Sequence, residues 1–128
     1  MIKRHSIKIS LLPLVGAFII SCGSSQDQNS KINFNLSEFT DDGLRERPKG
    51  EFSAINYEFC IPASEETLKE VQAIDSTAGV MKGSKGRSGC TDKEWLVIGS
   101  SRQPGFKTVI TKLASLKYIR KINETFWE

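Results

Sequence analysis

Residues 53–61, SAINYEFCI, set Ile55, Tyr57, Phe59 and Ile61 on one side of an extended chain and Asn56, Glu58 and Cys60 on the other. That period of two, in β-branched and aromatic residues, predicts a half-buried strand. Pro62 stops it. Ser64 then offers an N-cap, with Glu65 and Glu66 in a first turn where carboxylates suit the helix dipole. Leu68, Val71 and Ile74 give this helix an apolar stripe, and it ends near Asp75-Ser76-Thr77.

A similar rhythm follows. A short strand at about 79–82 leads into a glycine-rich loop, GSKGRSGCTDK. Residues 94–100, EWLVIGS, form the most hydrophobic run beyond the N-terminal leader and read as a central strand. Pro104 suits the start of a second helix, in which Phe106, Val109, Ile110, Leu113 and Leu116 recur at helical spacing. The tail, YIRKINETFWE, carries Tyr118, Ile122 and Phe126 with polar residues between them, and predicts a last strand.

The order β-α-β-β-α-β resembles the ferredoxin-like split βαβ sandwich. That resemblance implies an α+β domain, with two helices on one face of a four-stranded antiparallel sheet and the other face open. Trp95 and Trp127 are expected partly on the open face, where a partner would bind.

The chain begins with a basic head containing Lys3, Arg4 and Lys8, followed by the apolar run Ile9–Ile20. Twelve residues fall short of the roughly 20 that a helix needs to cross a bilayer, and the layout is that of a secretory signal. Ile19-Ile20-Ser21-Cys22 resembles the lipobox of bacterial lipoproteins, with Ile19 where Leu is commoner. The resemblance covers residues 1–22. It implies a thioether-linked diacylglycerol on Cys22, cleavage after Ser21, and acylation of the new amine by a fatty acid such as palmitate. More than one acyl chain is what stable anchoring requires. Ordinary cleavage, with Cys22 left as a plain side chain, is the competing reading. Gly23 is not the aspartate that often signals inner-membrane retention. The expected place is the periplasmic face of the outer membrane in a two-membrane bacterium, or otherwise the outer leaflet of the cell membrane.

Cleavage also changes the charge. Of 18 basic residues three leave with the leader, and the 15 that remain balance 15 acidic ones. Neutrality gives no argument for nucleic acid as a partner. Residues 22–50 are rich in Ser, Gln, Asn, Asp and Gly, and read as a lipidated, largely flexible tether. Its ends would lie roughly 30 Å apart. Ile32, Phe34, Leu36 and Phe39 interrupt its polarity and are expected to pack loosely on the domain spanning 51–128.

Cys60 ends the first strand and Cys90 precedes the third, so antiparallel neighbours would bring them together. In an exported protein this pair reads as a disulfide. Closing a loop of about 31 residues would stabilise a small fold by roughly 3.5 kcal/mol in the chain-entropy model. The alternative is a thiol–disulfide redox pair, with Cys60 just before a helix and Lys93 near Cys90. A metal site is not expected: the one histidine, His5, leaves with the leader, and there is no Cys-x-x-Cys.

Lys82, Lys85 and Arg87, set among Gly83, Gly86 and Gly89, suggest an anion-binding loop. It is not a P-loop, because Lys85 follows Ser84 instead of preceding a Ser or Thr. A mobile hairpin with solvated charges is the competing view. Without a histidine in the mature chain, Ser–His and Cys–His catalysis is excluded. Asp41-Asp42 and Glu65-Glu66 are adjacent pairs, not a separated acid/base couple. The sequence therefore predicts a non-enzymatic envelope lipoprotein without cofactor, a binding or adaptor module for another envelope component. A periplasmic redox protein using Cys60 and Cys90 is the alternative.

Overall fold

The computed structural model describes residues 29–126, so the leader, Cys22 and Trp127 lie outside it. The described chain is α+β, with two helices and two antiparallel sheets. Its strands are β1 (Arg45–Arg47), β2 (Glu51–Ser53), β3 (Asn56–Pro62), β4 (Gly79–Met81), β5 (Glu94–Ser100) and β6 (Asn123–Thr125). Its helices are α1 (Glu65–Ile74) and α2 (Phe106–Ser115). β1 and β2 form a hairpin, and the larger sheet runs β4-β5-β3-β6 with each pair antiparallel.

The expected alternation positions the core. Tyr57, Phe59 and Ile61 are each 0% exposed, and they pair in register with Gly99, Val97 and Trp95. Leu68 and Val71 of α1 and Phe106, Ile110 and Leu113 of α2 pack on that face, an arrangement compatible with a two-layer sandwich. Ser64 caps α1, its side chain accepting from the Thr67 N–H. Gly105, at φ 67°, is the N-cap of α2, and Pro104 precedes it.

Four expectations need correction. The second face of the sheet is not open. Glu58, Cys60 and Leu96 are buried because the glycine-rich loop between β4 and β5 folds back over them. Trp95 lies on the helix side instead, half-buried against the main core.

Residues 31–47, assigned to the tether, are seated on the domain. Phe39 is buried beside Phe106 with ring centroids 5.2 Å apart, and Phe34 stacks at 6.4 Å from the same ring. Ile32 forms a parallel bridge to Ile122, and the Arg45 guanidinium donates twice to the Glu124 carboxylate, at 2.8 and 3.0 Å. Four apolar side chains in a polar stretch bury enough surface to order it. The Ser101 hydroxyl donates to the Gly43 carbonyl at 2.6 Å, and the Ser101 backbone carbonyl lies where a Cβ at position 43 would be, so no side chain fits there.

The last strand is also shorter than expected. Residues 116–119 turn after α2, with the Ile119 N–H bonded to the Leu116 carbonyl. Ile119 and Ile122 therefore reach the core, while Phe126 is 58% exposed.

Candidate functional site

The structure pairs the two cysteines expected to meet. Cys60 of β3 and Cys90 of the loop form a disulfide with Cα atoms 5.5 Å apart. Glycine makes the loop's path possible at Gly86, where φ is 57° and a Cβ would overlap the Glu58 carboxylate and stand 2.8 Å from Leu96 Cδ1. Only a residue without a side chain allows that approach.

The loop's contact with a carboxylate is made by Ser88 and not by its basic side chains. Glu58 is 2% exposed, and its Oε2 accepts from both the backbone N–H and the hydroxyl of Ser88, each at 3.1 Å. Its Oε1 accepts from the Thr125 hydroxyl at 3.3 Å. These donors offset the cost of burying the carboxylate.

The three basic side chains of the loop do not share a site. Lys82 pairs with Glu65 at 3.2 Å and lies 4.3 Å from the Trp95 ring centroid. Lys85 lines a separate cleft with Thr91, Asp92 and Trp95. Arg87 lies over Phe126 at 5.5 Å.

The Glu58 network reaches the surface. Asn123 donates to the Ser88 hydroxyl at 2.9 Å, and Asn33 donates to the Asn123 side-chain carbonyl. Every donor in this chain points toward Glu58, so the buried charge orients an amide array ending at exposed Asn33. A cleft of about 410 Å³ lies along it, lined by Asn33, Arg87, Ser88, Lys121, Asn123, Glu124 and Phe126. With Glu124 tied to Arg45, the Lys121 ammonium contributes positive charge to the rim.

A second cleft, about 130 Å³, is lined by Cys60, Ser88, Arg120 and Lys121. Arg120 pairs there with Glu94 at 2.9 Å. Burial works against the Glu94 charge, but the Thr91 N–H and hydroxyl and the Arg120 guanidinium outweigh it and hold the carboxyl below its ordinary value.

Sequence reasoning missed another buried group. Asp75 at the end of α1 is 0% exposed. It accepts from the Tyr57 hydroxyl, the Thr77 N–H (2.9 Å) and hydroxyl (2.6 Å), and the Gln103 amide (3.2 Å). Burial, and then the Asp75 charge, push the Tyr57 phenol far above its usual range. An acidic residue at a helix C-terminus, where the dipole disfavours it, was the available signal. The cluster is closed off in the core and reads as a structural lock.

Among the described residues no group of three or more His, Cys, Asp or Glu could hold a metal ion, and no helix is long and apolar enough to cross a membrane. Comparison of the chain with family models, curated proteins and solved structures finds no match.

Proposed function

We propose that the chain is a membrane-anchored envelope lipoprotein whose mature domain is a non-catalytic binding or adaptor module. The anchor reading rests on the basic head, the short apolar run and Ile19-Ile20-Ser21-Cys22. A disulfide between two buried cysteines supports an oxidising compartment. The strand order β4-β5-β3-β6, with one helix inside each strand–helix–strand half, supports a ferredoxin-like assignment.

The observation that carries the binding reading is the cleft beside Asn33 and Asn123, where a hydrogen-bond array anchored on Glu58 meets the Lys121 side chain. The second N–H of each fixed amide, beside the Lys121 ammonium, suits a ligand bearing a carboxylate or another anionic group.

Metabolic labelling with an alkyne analogue of palmitate, applied to bacteria expressing the full chain, tests the anchor. Label on the wild type, lost in Cys22→Ser along with membrane partitioning, is the expected result. An unlabelled wild type in the soluble fraction would sink it.

One observation favours a second reading, thiol–disulfide exchange. Cys60 opens onto a cleft lined by Arg120, which is paired with Glu94, and by Lys121, whose charge would favour a thiolate. Equilibration with glutathione buffers separates the two: a structural bond has a potential below about −300 mV, and an exchange catalyst a higher one.

A further inference from the structure

The core is unevenly divided between the two faces of the sheet. The main cluster draws on β3, β5, both helices and residues 32–39, and no member of it comes from 82–93. Beneath the glycine-rich loop the buried apolar group is Cys60, Cys90 and Leu96, with Ile98 half-buried beside them. The loop's ties to the sheet are the disulfide and a polar set, in which Ser88 donates to Glu58 and accepts from Asn123. The hydrogen bond from the Cys90 N–H to the Lys85 carbonyl is internal to the loop.

We propose that the Cys60–Cys90 bond is a redox latch that holds residues 83–90 down as a flap, and that a dithiol opens it without unfolding the domain. This goes beyond the binding reading and does not depend on the lipid anchor. The two cysteines differ in whether they line a cleft. Cys60 lines the cleft with Ser88, Arg120 and Lys121, whereas Cys90 is 2% exposed and lines none of the clefts around the loop. With Arg120 paired to Glu94, the Lys121 ammonium favours approach of an anionic thiolate to Cys60.

An incoming thiolate attacks the Cys60 sulfur and forms a mixed disulfide, and the broken bond's electron pair leaves on the Cys90 sulfur. The second thiol of the same reductant, as its thiolate, attacks its partner sulfur and expels the Cys60 thiolate. Both protein thiolates take up protons as the dithiol becomes a disulfide. Opening then uncovers Glu58, Leu96 and Ile98 between Met81 and Phe126, which are already 43% and 58% exposed.

Amide hydrogen exchange on the oxidised full chain, and on the same protein held in excess dithiothreitol, tests this. The Ser88 and Cys90 amides are expected to exchange about tenfold faster or more after reduction, while α1, α2 and the β3–β5 pairing keep their protection. Three results would overturn the latch: unchanged loop protection after complete reduction, protection lost uniformly across the domain, or a bond that resists the dithiol until the domain unfolds. A brief glutathione pulse quenched by acid should give an adduct that peptide mass mapping places on Cys60. Lys121→Glu should slow its formation about threefold. An adduct confined to Cys90 would overturn the assigned direction of attack.

Discussion

Gly86 lies so close over Glu58 that a Cβ at position 86 would overlap the carboxylate. The close approach ties the loop's backbone to a buried charge on β3. A methyl group there must displace the loop, the carboxylate or Leu96, and it must also sit at a φ of 57°. Gly86→Ala should therefore destabilise the domain by about 2–4 kcal/mol, combining overpacking with left-handed strain. Urea titration followed by circular dichroism measures this, and a loss under about 0.5 kcal/mol would contradict the packing described.

Removing the disulfide by the double substitution Cys60→Ser and Cys90→Ser should lower stability by about 3 kcal/mol, while a cooperative transition remains. Chemical denaturation under identical conditions gives the comparison. An unchanged midpoint would mean that the bond constrains nothing that matters to folding.

The Tyr57–Asp75 lock makes a graded prediction. Tyr57→Phe removes one donor and should cost about 1–2 kcal/mol. Asp75→Ala strands the Tyr57 hydroxyl and the Thr77 N–H and should cost about 3 kcal/mol or more. The order of these two losses is the test.

Alkaline titration reads the same region. The chain has two tyrosines, and both phenols are raised: burial and nearby Glu70 push Tyr118 up to about 12, and Tyr57 goes higher still. A raised phenol contributes stability that is fully present below the unfolded value near 10 and is lost as pH climbs through the folded value. Tyrosinate absorbance should thus stay low through pH 10 in the folded protein and rise only near 12 or with unfolding. In acid the sign reverses for Glu94, whose depressed value gives stability that fades as pH falls below 4.5.

The cleft prediction uses simple probes. Succinate or inorganic phosphate added to labelled protein should shift the side-chain amide signals of Asn33 and Asn123, and Lys121→Glu should weaken the response severalfold. Amide signals indifferent to both anions at millimolar concentration would count against an anionic ligand.

Much of the fold could be read from local pattern. The alternation through Tyr57, Phe59 and Ile61, the Ser64 cap and the run at 94–100 each depend on neighbours a few residues away, and each element forms, although the first strand begins at Asn56 and takes in Pro62, which was expected to end it. The disulfide was legible because strand order brings the end of β3 to the start of β5. What escaped depends on contacts across the fold. Glu58 reads as a solvent-facing residue until the loop covers it, and Asp75 as a helix end until Gln103 and Tyr57 close around it. Ile32 and Phe39 sit in a polar stretch whose composition hides how well they fit beside Ile122 and Phe106.

The bridge between Ile32 and Ile122 also sets a leash length. The Lys31 carbonyl accepts from the Ile122 N–H, so the chain is clamped nine residues after Cys22. Nine residues reach at most about 32 Å whatever their conformation. If Cys22 carries the proposed lipid, the edge beside β6 is therefore kept within that distance of the membrane surface.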